Sequence, residues 1–129
     1  MRLLLDTHAL LWWLAGDPQL SRRAKLTIAN QSNEIFVSAA SAWEVATKHR
    51  LGKLQHAGPL AVDFGLEMRR QGFLELPISW RHAQAAGALP GPHRDPFDRM
   101  LIVQAREEMM ALVSIEAIFD QYDGVTRVW

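Results

Sequence analysis

The chain contains no cysteine. That excludes disulfides and any thiolate-ligated metal site, and it fits a reducing cytosol. No stretch approaches the roughly 20 apolar residues that a membrane span requires. The apolar run near the N-terminus is broken by Asp6 and His8, so it does not read as a secretory signal, and the expected location is cytoplasmic. There is no excess of either charge, since 14 Lys and Arg offset 14 Asp and Glu. A strong non-specific nucleic-acid binder usually carries a basic excess, so contact with nucleic acid here has to be local. None of the five histidines stands at metal-ligand spacing from another. Repeats, low-complexity tracts and linkers are missing too, and 129 residues suit one domain, which buries about two-thirds of its unfolded surface.

What is present is an ordinary globular composition, 49% apolar and 22% charged, laid out as alternating strands and helices. Leu3-Leu4-Leu5 is continuous rather than alternating, so residues 2–6 read as a strand buried on both faces. Thr7–Ala15 reads as a helix stopped by Gly16, and Ser21 caps a second helix to about Asn30. Glu34–Ser38 is a second strand, followed by a helix through Leu51 with Gly52 as its stop. Pro59 opens one further helix, which Gly72 ends. Phe73–Leu76 is a short strand, Ser79 caps Trp80–Ala88, and residues 89–94 form a loop. Asp95 caps a helix that Pro96 opens and that runs to about Met109. Ala111–Ser114, Glu116–Tyr122 and Val125–Val128 read as strand, short helix and last strand. This alternation predicts an α/β fold, a parallel sheet with helices on both faces.

The acids carry the chemical signal. His93-Arg94-Asp95-Pro96-Phe97-Asp98-Arg99 sets two carboxylates three apart in the first turn of an apolar helix. Asp6 ends the first strand, Glu44 lies in the helix after the second, and Glu116 follows Ala111–Ser114 by two residues. Acids thus recur where strands give way to helices. In an open α/β sheet, those junctions line the ligand crevice at the strands' carboxyl ends.

Each acid also has a plainer explanation. Asp6 suits a helix N-cap. Ser41-Ala42-Trp43-Glu44 fits a capping box, and Glu44 stands at ion-pair spacing from Lys48. Asp95 suits a cap, and Asp98 favours the helix dipole. One acid meets those needs, however, and Leu101, Ile102 and Ala105 set Asp98 beside the sheet-facing side of its helix. Asp98 is therefore the functional candidate, with Asp95 as a cap or supporting group. Glu116 is equally well read as a first-turn acid. The argument for a site is their convergence. Crowded carboxylates raise one another's pKa unless a cation neutralises them. Mg2+ does so with one or two carboxylates and several waters, and a hard cation in such a crevice points to phosphate chemistry.

Leu-Leu-Asp-Thr-His at 4–8, Ser-Ala-Trp-Glu at 41–44 and His-Arg-Asp-Pro-Phe-Asp-Arg at 93–99 together resemble the PIN-domain ribonucleases. The likeness is greatest to the VapC-type toxins of bacterial toxin–antitoxin pairs. Leu-Val-Ser at 112–114 and Phe-Asp-Gln-Tyr at 119–122 extend it over the whole chain. The resemblance implies one PIN-like domain over residues 1–129, in three α/β/α layers around a mostly parallel sheet. It implies an acidic Mg2+ or Mn2+ site at Asp6, Glu44 and Asp98. The family's fourth acid, usually Asp, has Glu116 as its nearest match here, and the extra methylene favours contact through water over direct ligation. RNA as substrate, a cognate antitoxin that covers the site and a homodimer are implied in the same way.

The reaction expected is metal-assisted hydrolysis of an RNA phosphodiester. Asp6 and Asp98 hold the cation, and Glu44 completes the cluster as a ligand or by orienting the attacking water. Asp95 supports Asp98, while Thr7 and Ser114 bind metal waters or phosphate. Lys48, His49, Arg50 and Lys53, and likewise His93, Arg94 and Arg99, offer cations to backbone phosphates. Lys48 to Lys53 read first as ordinary helix-end charges, and Arg94 and Arg99 read equally well as partners of neighbouring acids. His8 is expected to pack or hydrogen-bond near Asp6. Trp12 and Trp13, about 100° apart on a helix, do not both face one core, so one is expected to be partly exposed. Two other readings stay open. One is a Mg2+-dependent phosphatase or phosphoryl-transfer domain, weakened by His8 where a second acid would stand. The other is a non-catalytic PIN-like binding module, opposed by the presence of Asp6, Glu44 and Asp98.

Overall fold

Five short strands form one sheet in the computed structural model, which describes residues 1–129. They are β1 (Arg2–Leu5), β2 (Glu34–Ser38), β3 (Leu74–Leu76), β4 (Ala111–Val113) and β5 (Arg127–Val128), in the order β3-β2-β1-β4-β5. Every pairing is parallel, with Leu3 opposite Ile35 on one side and Ala111 on the other. A parallel sheet requires crossover helices, and these cover both of its faces. Leu3 and Leu5 point into one core layer with Val37, Val113 and the helices α1 (Thr7–Ala15), α2 (Arg22–Ala29) and α5 (Phe64–Gln71). Leu4 points the other way, into a second layer with Leu112, α6 (Trp80–Ala88) and α7 (Pro96–Glu107). All three leucines are fully buried, which explains the unbroken apolar run. No helix is long and apolar enough to cross a membrane.

The strand order puts β1 at the centre and makes its boundary with β4 the switch point. The chain winds outward from β1 to β2 and β3, then returns to add β4 on the other side. Connections after β1 and β4 therefore diverge, and in open α/β sheets such a divergence marks the place of a ligand crevice at the strands' carboxyl ends. Asp6 follows β1 and Ser114 follows β4, so both stand at that place.

Several elements depart from the expected pattern. The helix opened by Pro59 is two helices, α4 (Gly58–Val62) and α5, because the Asp63 carboxylate accepts the Leu66 N–H and caps a new helix. The capping box at Ser41 does not form. Ser38, the last residue of β2, is the N-cap of α3 (Ala39–Arg50), so Ser41 lies inside the helix. The short helix expected at 116–122 is present as a 3-10 helix over Ala117–Gln121. Trp12 and Trp13 are both half-buried, Trp12 against Trp129 and Trp13 against Phe73. The exposed tryptophans are Trp43 and Trp80 instead.

The 89–94 loop is fastened from both ends. The Arg99 guanidinium donates to the carbonyls of Ala86, Leu89 and His93, and the Tyr122 hydroxyl accepts the His93 N–H at 3.2 Å. Gly91 passes over that tyrosine at φ 125°, and a Cβ there would lie 2.7 Å from the hydroxyl. Gly91→Ala is therefore expected to lower folding stability by about 1–3 kcal/mol, read as a shift in the urea midpoint. An unchanged midpoint would show that the loop does not need this approach.

Candidate active site

Three acids stand on the β1–α1, α3 and α7 segments that follow the strands, each delivered by a different element. Asp6 is the N-cap of α1, only 4% exposed, with Oδ1 accepting the Ala9 N–H at 2.7 Å. Its own N–H donates to the Val113 carbonyl, which ties the end of β1 to β4. Glu44 sits in α3, buried, with Oε1 accepting from the Thr7 hydroxyl at 2.7 Å and Oε2 paired with Lys48. The Thr7 oxygen also lies 3.0 Å from Ser41 Oγ. Asp98 stands in the first turn of α7, half-buried, and its Oδ2 is 2.7 Å from His93 Nε2. Trp43 and Phe97, the residues just before Glu44 and Asp98, meet edge to face at 5.0 Å and bring α3 against α7.

Burial, more than the neighbouring acids, sets the ionisation of Asp6 and Asp98. Burial pushes the Asp6 carboxyl up to about 6, against the Ser114 hydroxyl, the Ala9 N–H and the nearby His8, with Asp98 pushing further up. Burial raises Asp98 as well; His93 opposes the rise, while Asp95 and Glu44 add to it. Asp98 is thus the common neighbour of Asp6, Glu44 and Asp95. No three His, Cys, Asp or Glu side chains converge on a single point. The acids approach in pairs, each held by its own protein partner.

The donor set nevertheless suits a hard divalent cation. Asp6 is a carboxylate taken out of water with only hydrogen-bond donors and a distant imidazole to offset its charge. Mg2+ needs one or two such carboxylates and keeps waters elsewhere. Asp98 Oδ1 carries no protein hydrogen bond, whereas both oxygens of Glu44 are engaged.

The other candidates fall into place around these three. The Asp95 carboxylate accepts the N–H groups of Phe97 and Asp98 and so caps α7. Thr7 holds Glu44 by a hydrogen bond, and Ser114, whose Oγ accepts the Glu116 N–H, lowers the pKa of the neighbouring Asp6. Glu116 is exposed before the 3-10 turn, makes no side-chain cap bond, and is not among the groups acting on Asp6 or Asp98. His8 is exposed and stacks on Trp12 at 5.7 Å. Lys48 is committed to Glu44 and Arg99 to backbone carbonyls, so of the flanking cations Arg50, Lys53 and Arg94 are the exposed ones. The part missed in the sequence is the role of His93: it stood out as a cation for phosphate, yet it faces Asp98.

Residues 3–125 match the family described as PIN domain. Among curated proteins, ribonuclease VapC16 of Mycobacterium tuberculosis is 42% identical over 73 residues, covering 57% of this chain and 49% of that protein. The chain thus spans about half the length of that relative. Ribonuclease VapC22 of the same organism is 32% identical over 112 residues, covering 86% of this chain and 84% of that protein. Among solved structures, VapBC2 from Rickettsia felis, bound to promoter DNA, gives a TM-score of 0.71 at 17% identity over 98% of this chain and 97% of that one. VapC20 of Mycobacterium tuberculosis, described as a sarcin-ricin loop cleaving toxin, gives 0.70 at 15% identity over 95% and 96%. These likenesses bear on the fold, which they share.

The Asp6 shift makes a prediction with a definite sign. A carboxyl raised from 3.8 to about 6 by folding destabilises the folded state once ionised. The penalty is absent below the unfolded value and complete above about pH 6. Asn caps a helix as well as Asp does. In the absence of divalent cations, Asp6→Asn is therefore expected to raise stability by about 3 kcal/mol at neutral pH, the gain shrinking as pH falls toward the ordinary aspartate value. Paired denaturation curves across this range check it; a variant less stable than the parent at neutral pH would contradict the buried charge.

Proposed function

Because the chain belongs to the PIN domain family, we propose that it is a metal-dependent endoribonuclease, the toxin of a toxin–antitoxin pair. What supports this reading is the placement of buried Asp6 and Glu44 and half-buried Asp98 after the strands of a parallel sheet, with Asp98 acting electrostatically on Asp6 and Glu44 on Asp98. Asp6 and Asp98 would hold Mg2+ or Mn2+. When bound, the cation supplies Lewis acidity at a phosphate and charge neutralisation for a nucleophilic water.

The chain's own groups prepare the site. His93 Nε2 grips one oxygen of Asp98 and leaves the other without a protein hydrogen bond. The Ala9 N–H and Ser114 orient the Asp6 carboxylate. Thr7 and Lys48 fix both oxygens of Glu44, which then serves to orient the attacking water rather than as a free ligand. Asp95 sets the first turn of α7, and with it the height of Asp98. Glu116, exposed at the rim, acts through water at most. Exposed Arg94, Arg50 and Lys53 are the cations offered to the RNA backbone. That number is small, in keeping with a chain of zero net charge.

Two surface features suit the proposed partners, an antitoxin and a second copy. An apolar groove of about 490 Å³ runs beside His8, floored by Trp12, Leu54 and Leu60. An antitoxin segment seated there would reach the acids past the residue that follows Thr7. A second copy would cover Trp43 and Trp80, which are 62% and 95% exposed. We take residues 1–129 as one domain that works in the cytoplasm.

Purified protein incubated with total cellular RNA tests the activity. Discrete cuts are expected with Mg2+ or Mn2+ and none with EDTA. Asp98→Asn should reduce cutting by more than about 100-fold, beyond the usual loss from a group that only supports a ligand. Cutting by Asp98→Asn at the parent rate would sink the assignment.

A further inference from the structure

Gln104 is an anomaly in the second core layer. It lies on α7 with no exposed surface, among Leu101, Ile102, Val103 and Ala105. A buried amide is costly unless its donors and acceptor are matched, and here they are. The Ser38 hydroxyl donates to Gln104 Oε1 at 2.5 Å. Gln104 Nε2 donates to the Pro77 carbonyl at 3.1 Å and lies 3.3 Å from His82 Nδ1.

The partners decide which way the amide points. Ser38 Oγ already accepts the Ala40 N–H as the cap of α3, so its proton is free for Gln104. His82 Nδ1 accepts the Ser79 N–H at 3.2 Å, so its single lone pair is shared with the Gln104 amide, and Nε2 faces Glu108 at 2.9 Å. One side chain thus joins the β2–α3 junction, the β3–α6 junction and α7. Ser38 opens the helix that carries Glu44, and Gln104 lies on the helix that carries Asp98.

We infer that Gln104 is a positioning residue for the acid site, fixing α3 against α7 through Ser38 so that Glu44 and Asp98 keep one relative placement. This rests on the metal-site reading of the acids. The link is remote from the reacting groups: neither Gln104 nor Ser38 hydrogen-bonds to Asp6, Glu44 or Asp98. Trp43 on Phe97 braces the same two helices from outside, but an exposed aromatic contact has no fixed register, whereas three matched hydrogen bonds do.

The test is calorimetric titration with Mn2+, alongside RNA cleavage kinetics, for the parent, Gln104→Met, Ser38→Gly and the double variant. Met keeps the volume without the amide, and Gly keeps a serviceable N-cap without the hydroxyl. Each single variant is expected to weaken Mn2+ binding by about 10-fold or more, the usual scale for groups that orient ligands. It should lower kcat with KM for RNA unchanged, and the double variant should be no worse than the more affected single one. If Gln104→Met fails to fold, Ser38→Gly decides alone. Lower melting temperatures with unshifted Mn2+ affinity and kcat would make the network merely structural and overturn the inference while leaving the activity standing. No Mn2+ binding by the parent would overturn the metal-site reading and this inference together.

Discussion

The carboxylate of Asp6, buried at the end of the central strand, is the constraint on which the rest of the site depends. A charge there is unfavourable, and the fold surrounds it with what is available at a strand–helix junction. The first turn of α1 supplies the Ala9 N–H, and the start of the β4–β5 connection supplies the Ser114 hydroxyl. The same N-terminal helix geometry brings Asp98 close, which adds to the cost rather than relieving it. Protein groups alone leave the acid well above its ordinary ionisation range. That residual deficit is the physical reason for reading the crevice as a cation site.

The three acids are held by three unrelated devices, and that division matters. Asp6 relies on a backbone amide and a hydroxyl, Glu44 on a threonine and a lysine one turn away, Asp98 on a histidine from the preceding loop. Only Asp98 is held wholly from its own neighbourhood; Glu44 depends on Thr7 of α1, 37 residues away, as well as on Lys48. The loop bearing His93 is itself fastened by Arg99 and Tyr122. Cations that composition alone would offer to a polyanion are in fact engaged inside the fold, so the electrostatic pull on RNA has to come from few groups.

Much of the fold was legible in the chain because its signals are local. Leu3-Leu4-Leu5 announces a two-sided strand; Ser21, Ser79 and Asp95-Pro96 announce helix starts, and all three caps form. The acids at strand–helix junctions follow from the same local logic. What escaped was long-range. Nothing near Arg99 in sequence says that it will bind the carbonyls of Ala86 and Leu89 rather than phosphate or an acid. Ser41 and Glu44 have capping-box spacing, but β2 hands over to α3 at Ser38, so the helix starts earlier than that spacing implies. Asp63 broke a helix because its side chain competes for a backbone N–H, which apolar periodicity does not register. Gln104 stands at i+3 from Leu101 on the buried side of α7, but its partners Ser38, Pro77 and His82 are distant in sequence.

The central claim is that Asp6 and Asp98 share one divalent cation at the switch point of the sheet. The most direct measurement is anomalous diffraction from crystals of the protein soaked in Mn2+. The account predicts a single dominant peak at the carboxyl end of β1, within ligand distance of the Asp6 and Asp98 carboxylates and with Asp98 Oδ1 turned toward it. A peak elsewhere on the molecule, or none at saturating Mn2+ with both carboxylates unchanged, would contradict it.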